Sequence, residues 1–284
     1  MLQPTLERRW SERRARANEL AERWSFAAEV LRFYGAILEV QERAFNAALE
    51  DRPKSDQFAA YAAERVLPAI VETSVSSGPP AMTESVLTTF HETDFVPAIE
   101  SWLRGESLAP VERYLARASA GPVLEALIAD GPGFRGEDRL CPACGGSPQL
   151  SYFAPSPEDL VTAHRHLVCS RCATSWPFAR MTCAACGENE TKGLIIYGEV
   201  GTTQAELSEQ IIKKRTGAAA GGPPAQFPHL RVDGCRSCSR FLLCIDLERD
   251  ARAVPLVDEI AAIPLSLYSA ERGLTKIVPN LMGF

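Results

Sequence analysis

No cysteine occurs in the first 140 residues of this 284-residue chain. That stretch has no means of building a thiolate metal site or a disulfide, so its order has to come from apolar packing. Histidine is scarce throughout, at four residues, and no H-E-x-x-H, phosphate-loop or Ser-His-Asp signature is present, so no conventional active site is signalled. Long apolar runs are missing too, since none approaches the roughly 18 residues that a bilayer span needs. Positive charge is not in excess: Lys and Arg number 30 against 36 Asp and Glu, for a net charge of −6. That balance argues against a protein devoted to neutralising nucleic-acid phosphates. The opening MLQPTLERRWSERRARANELAERW mixes Arg and Glu without an apolar core or a small-residue cleavage site. No secretory signal is read there, and a cytoplasmic protein without membrane insertion is expected.

What is present is ordinary globular composition, with 46% hydrophobic and 23% charged residues, in a chain long enough for two or three domains. Before residue 130 apolar residues recur at helical spacing. Phe26, Val30, Phe33, Ile37, Leu38, Phe45 and Leu49 form one stripe on a single long helix. Ser55 and Asp56 are placed to cap a second helix through about residue 74, and SSGPP at 76–80 ends it and starts another that runs to about Arg104. Pro68 and Pro97 should kink or split these helices. Shorter helices fit Ala109–Ala118 and Pro122–Ala129, and DGPG at 130–133 reads as a linker. The aromatics Phe26, Phe33, Phe45, Phe58, Phe90 and Phe95 read as core. The Arg-rich start (Arg8, Arg9, Arg13, Arg14, Arg16) reads as a solvated face laced with ion pairs.

After residue 140 the texture changes to short apolar runs broken by Gly, Pro and CxxC pairs. PQLSYF, RHLVC, LIIYGEV and RFLLCIDL read as strands, residues 202–230 as a flexible excursion, and Ala261–Glu271 as a helix stopped by Gly273. The expected architecture is α+β and multi-domain. An all-α domain at residues 1–134 is followed by two tandem rubredoxin-like or zinc-ribbon β modules, at 135–181 and 182–284, with a C-terminal helix.

Eight of the nine cysteines form four pairs: Cys141/Cys144, Cys169/Cys172, Cys183/Cys186 and Cys235/Cys238. A tight turn between two such cysteines aims both sulfurs, and backbone N–H groups, at one point. Two turns supply four sulfurs in a tetrahedral array, which suits zinc or iron. Four pairs thus make two metal ions, each held by four cysteines. Three ways of combining the pairs exist. CPACG and CAACG end in Gly whereas CSRCA and CRSCS do not, and this alternation favours joining the first pair to the second and the third to the fourth, as an internal duplication. On that reading ATSWPFARMT (173–182) is the junction between modules, with Trp176 as its wedge. A closed four-sulfur site has no open position for substrate, so the sites read as structural or at most one-electron.

Cys244 is left over in an apolar run and reads as a buried, inert thiol. His164 and His166 fall on one solvated strand face, and His91 and His229 carry no supporting motif.

CPACGGSP (141–148), HLVCSRCATSWPFARMTCAACG (166–187), GCRSCSRFLLCIDL (234–247) and the ending GLTKIVPNLMGF resemble the FdhE family of formate dehydrogenase accessory proteins. The resemblance implies a non-enzymatic, chaperone-like cytoplasmic factor that binds the catalytic subunit of formate dehydrogenase and is needed to form the active enzyme. It also implies iron at Cys141, Cys144, Cys169, Cys172, Cys183, Cys186, Cys235 and Cys238, and leaves room for a homo-dimer. The alternatives are an iron–thiolate redox or oxygen-sensing protein and, further off, a zinc-ribbon nucleic-acid binder.

Overall fold

A computed structural model describes residues 6–129, 139–154, 164–199 and 225–284, with side chains from residue 9. The linker expected at 130–133 and most of the excursion expected at 202–230 lie outside the described residues. Within them, an N-terminal helical region precedes a mixed β-sheet that carries two clusters of four cysteines, and short helices follow the sheet.

The helical region begins with α1 (Leu6–Arg23) and α2 (Ala28–Asp51), joined by a 3-10 turn at Ser25–Ala27. Phe33, Ile37, Leu38 and Phe45 of the α2 stripe are buried, as the spacing requires. Phe26 is the exception: it lies in the 3-10 turn and is 50% exposed, so it is not a core residue. The next helix starts at Phe58 rather than at a Ser55 or Asp56 cap. It runs as α3 (Phe58–Tyr61), a π-turn at Ala62–Val66 and α4 (Leu67–Ser77). The π-turn lies just upstream of Pro68, whose missing N–H interrupts the regular ladder. SSGPP separates α4 from α5 (Pro80–Glu92). Pro97 lies in the first turn of α6 (Phe95–Arg104), where Asp94 caps the helix by accepting from Val96 N.

The two short helices expected at 109–129 are one, α7 (Pro110–Ile128), which runs through Pro122. A proline there cannot donate to the carbonyl four residues back, at Ala118. Gln41 of α2 donates to that carbonyl instead, at 2.9 Å, so a buried side chain satisfies the acceptor that Pro122 leaves open.

The sheet order is β3-β2-β1-β6-β5-β4, with the short β7 (Thr275–Lys276) alongside β6. Strands β1 (Pro148–Ala154), β2 (His164–Cys169) and β3 (Ser175–Pro177) form one antiparallel meander, and β4 (Leu194–Gly198), β5 (Leu230–Cys235) and β6 (Arg240–Asp246) form another. The two join where β1 pairs with β6 in parallel, Leu150 opposite Leu243 and Ser151 opposite Cys244. The halves therefore share one sheet. Arg165 of β2 crosses from one half to the other, 3.2 Å from Asp233 of β5. Pro177, with no N–H to donate, sits on the edge strand β3.

A helix not expected from the sequence, α8 (Pro255–Ala261), precedes the C-terminal helix expected at 261–271, which is α9 (Ile263–Glu271). Val257, Ile260 and Ala261 of α8 pack into the core of the helical region. Asp258 of α8, 1% exposed, accepts from Arg16 Nε at 3.0 Å and Arg16 Nη2 at 2.6 Å, from Val254 N at 2.8 Å, and is 3.0 Å from His229 Nε2. Arg13 makes a fork of 3.0 and 2.8 Å to Glu125 of α7. Both arginines are buried, which corrects the reading of the opening helix as a solvated face. Its period-3.6 spacing of charge is the same for an exposed stripe and for one that meets buried carboxylates far away in sequence.

Asp258→Ala is expected to strand the Arg16 guanidinium and lower stability by about 3–5 kcal/mol, the usual cost of removing one partner of a buried pair. Gln41→Leu should lower it by about 1–3 kcal/mol by leaving the Ala118 carbonyl unsatisfied. Urea unfolding followed by tryptophan fluorescence checks both, and a change indistinguishable from that of the exposed-pair variant Arg104→Ala would contradict them.

Candidate metal centres

Each cysteine cluster is built the same way. The first turn precedes the first strand of its meander: Cys141 and Cys144 lie before β1, Cys183 and Cys186 before β4. The second turn sits at a strand end: Cys169 closes β2 and Cys235 closes β5, and Cys172 and Cys238 lie in the turns that follow. Within the turns the hydrogen bonds repeat. Cys141 N donates to Gly146 O at 2.8 Å, Cys169 N to Thr174 O at 2.9 Å and Cys183 N to Glu188 O at 2.7 Å.

The residue after the second cysteine is left-handed in all four turns: Gly145 at φ 69°, Ala173 at 55°, Gly187 at 84° and Ser239 at 55°. The sequence pattern suggested this relief only for the two glycines. Ala173 and Ser239 adopt the same conformation at a cost of roughly 1–2 kcal/mol for a residue with a Cβ. All four turns therefore share one backbone shape, which agrees with duplication.

Cys141, Cys144, Cys169 and Cys172 come together as one group, and Cys183, Cys186, Cys235 and Cys238 as the other, with all four sulfurs of each group within 4.8 Å of one another. The Cys141–Cys172 and Cys144–Cys169 sulfurs are 3.6 and 3.4 Å apart, and the Cys183–Cys238 and Cys186–Cys235 sulfurs 3.8 and 3.7 Å. Four sulfurs held about 2.3 Å from a central ion at tetrahedral corners would be about 3.8 Å apart. The donor sets thus fit a tetrahedral thiolate-bound ion. Hydrogen bonds from Cys144, Cys169 and Cys172 push the Cys141 thiol well below its ordinary value, and bonds to Cys141 and Cys144 raise Cys169. Cys144 is lowered with Cys141 and Cys172 is raised with Cys169, so the four thiols divide two and two.

Backbone donors add to each group: Arg171 N lies 3.3 Å from Cys169 Sγ, and Ala185 N 3.4 Å from Cys183 Sγ. Thr174 Oγ1 is 3.2 Å from Cys172 Sγ, a contact the sequence reading did not anticipate although Thr174 is only two residues on. Gly146 is held by close approach, because a Cβ there would lie 2.8 Å from Cys169 Sγ. Trp176 is 1% exposed and packs with Cys141, Cys169 and Cys172 of the first group, Ala184 beside the second and Leu242 of β6.

The remaining candidates fall elsewhere. Cys244 is 1% exposed at the β1–β6 seam, and burial pushes its thiol up to about 12. His164 is exposed, and His166 is half-buried against Tyr152, the rings 5.1 Å apart. His91 is exposed. His229 is buried on Asp258, a structural partner that no local motif announces. Among the described residues no helix is long and apolar enough to cross a membrane.

Residues 140–180, which contain the whole first group and Trp176, match the family model described as the FdhE central domain. This segment is similar to the FdhE central domain. A protein named FdhE homolog from Aquifex aeolicus is 28% identical over 73% of this chain, and one of that name from Pseudomonas aeruginosa is 33% identical over 50% of it. These matches span 65% and 39% of the two relatives, less than two thirds of either. The crystal structure of the FdhE protein from Pseudomonas aeruginosa has the same fold, with a TM-score of 0.69 at 21% identity, over 99% of this chain and 97% of that one. The FdhE resemblance thus extends, as fold, over the whole chain.

Protein purified without chelators, or the metal-free protein titrated anaerobically with iron or zinc, is expected to hold two equivalents per chain. Cys141→Ser should reduce this to one while far-UV dichroism keeps most of the helical signal, because metal-binding energy is folding energy for the sheet and not for the cysteine-free helices. A variant that still binds two equivalents would remove Cys141 from the ligand set.

Proposed function

We propose that this chain is a non-catalytic assembly factor that binds the catalytic subunit of formate dehydrogenase in the cytoplasm and is needed for that enzyme to become active. The observation that carries the reading is the likeness to FdhE, by sequence at residues 140–180 and by fold over the chain, together with two donor sets already filled by four sulfurs. A site filled in that way leaves no position for a substrate to be polarised, which favours a role in shape over one in hydrolysis.

On this reading the eight cysteines are ligands and hold the two meanders in register. The ions supply cross-links that fix the turns, and iron and zinc both accept four thiolates, with the resemblance favouring iron. The buried pairs on α8 then set the angle between sheet and helices, so that the partner meets one rigid body.

Deleting the gene is expected to abolish formate oxidation without lowering the amount of the catalytic polypeptide, and a plasmid copy should restore it. The tagged protein should also retain the catalytic subunit on an affinity column. Unchanged formate oxidation in a strain with no second copy of the gene would count decisively against the proposal.

A further inference from the structure

The two cysteine groups share a backbone plan but not an environment. In the first, Cys141, Cys169 and Cys172 are 3%, 1% and 2% exposed and Cys144 is half-buried, and the group packs with Trp176 and with Leu124 and Ile128 of α7. Gly146 presses on Cys169, and the cavity that Cys169 borders holds about 70 Å³. In the second, Cys186 is exposed and Cys238 half-buried, and both edge a cleft of about 620 Å³. Arg139 and Arg240 also line that cleft. Arg139 lies against the turn itself, donating to Ala185 O at 2.7 Å.

We propose that the two centres are functionally unequal: the first is the more enclosed and serves as a strut, and the second is an open centre whose ion exchanges with small anionic chelating ligands through the cleft beside Cys186. This rests on the cysteine groups holding metal, and is independent of which enzyme the chain assists. An incoming ligand meets the exposed Cys186 at the second centre, whereas the most accessible cysteine of the first, Cys144, is half-buried in the cluster that holds Trp176 and the end of α7. Cys186 is the ligand that yields. Its sulfur leaves with the bonding electron pair and takes a proton from water, a donor atom of the incoming ligand fills its place, and no electron is transferred. Four thiolates around a divalent ion carry a net charge of −2, which by itself repels an anion. The guanidinium groups of Arg139 and Arg240 offset that repulsion and make the cleft selective for anionic donors such as carboxylates or thiolates.

The test uses the full-length protein loaded with two equivalents of zinc and challenged with excess EDTA. Release is expected in two phases of one equivalent each, the first faster by about tenfold or more, the scale on which outer-shell support changes metal retention. Alkylation of the protein quenched after the fast phase should mark Cys183, Cys186, Cys235 and Cys238 and spare the other four. Arg240→Gln should slow the fast phase several-fold with EDTA and leave the slow phase unchanged. Two equivalents leaving at one rate, or alkylation of the first group in the fast phase, would overturn the inequality while leaving the metal reading intact. Failure to load two equivalents would overturn both, and an unchanged fast phase in Arg240→Gln would overturn the preference for anions.

Discussion

Two consecutive carboxylates on a seven-residue helix determine how the protein is put together. Asp258 and Glu259 of α8 are 1% and 0% exposed. Asp258 takes the Arg16 fork from α1 and meets His229 just ahead of β5, so it ties the helical region to the second half of the sheet. Glu259 is 2.5 Å from Lys276 Nζ and accepts from Gln149 of β1, which in turn accepts from Arg117 of α7. Lys276 also donates to Phe284 O at 2.9 Å, which brings in the last residues. Burial raises the Glu259 carboxyl and lowers the Lys276 ammonium, so each would give up its charge if left alone. Held together, they satisfy one another. Such pairs add little net stability over a hydrophobic replacement, but they penalise any arrangement that separates them. That penalty fixes the angle of α8 in a way that the apolar contacts of Val257 and Ile260, which tolerate sliding, do not.

With α8 fixed, the union of the two meanders follows. A three-stranded ribbon of this size has a core too small to stand without help, and each would expose an edge. Here the first strand of one meander and the last strand of the other cover each other's edges. The close parallel pairing places Ser151 opposite Cys244, two small buried residues, at the seam. Arg165 and Asp233 add an ion pair across the two halves. Cys244, read from sequence as inert packing, is packing of a specific kind, because a larger side chain would have to be accommodated between the halves.

The parts of this arrangement that are local in sequence were legible there. The α2 stripe, the stops at SSGPP and Gly273 and four of the strands follow from residue spacing, and the grouping of the cysteine pairs was favoured by the alternation of Gly and non-Gly after the CxxC turns. What was not legible depends on residues far apart. Arg13 and Arg16 look like surface arginines until Glu125 and Asp258 arrive, more than one hundred positions later. Pro122 looks like a helix break until Gln41 supplies the missing donor. Strand β5 was overlooked because its alternation is only four residues long, Leu230 and Val232 buried and Arg231 and Asp233 half-buried, before it runs into the Cys235 turn. Arg231 and Asp233 form a 2.9 Å pair of their own, and Asp233 also meets Arg165.

The two cysteine groups share their turns but not their surroundings. The turns kept their geometry even where glycine is absent, since Ala173 and Ser239 hold the left-handed conformation that Gly145 and Gly187 adopt at little cost. Holding a strained backbone at two positions makes sense only if something rewards the turn's shape, and bringing four sulfurs to where they could share one ion would do so. The surroundings did not stay alike. The first half lies under α7 with Trp176 between it and the second, whereas the outer strand of the second, β4, leaves Ile196 58% exposed. The difference between the halves therefore lies in what packs against each turn, α7 and Trp176 at the first and open cleft at the second, and not in the cysteines themselves.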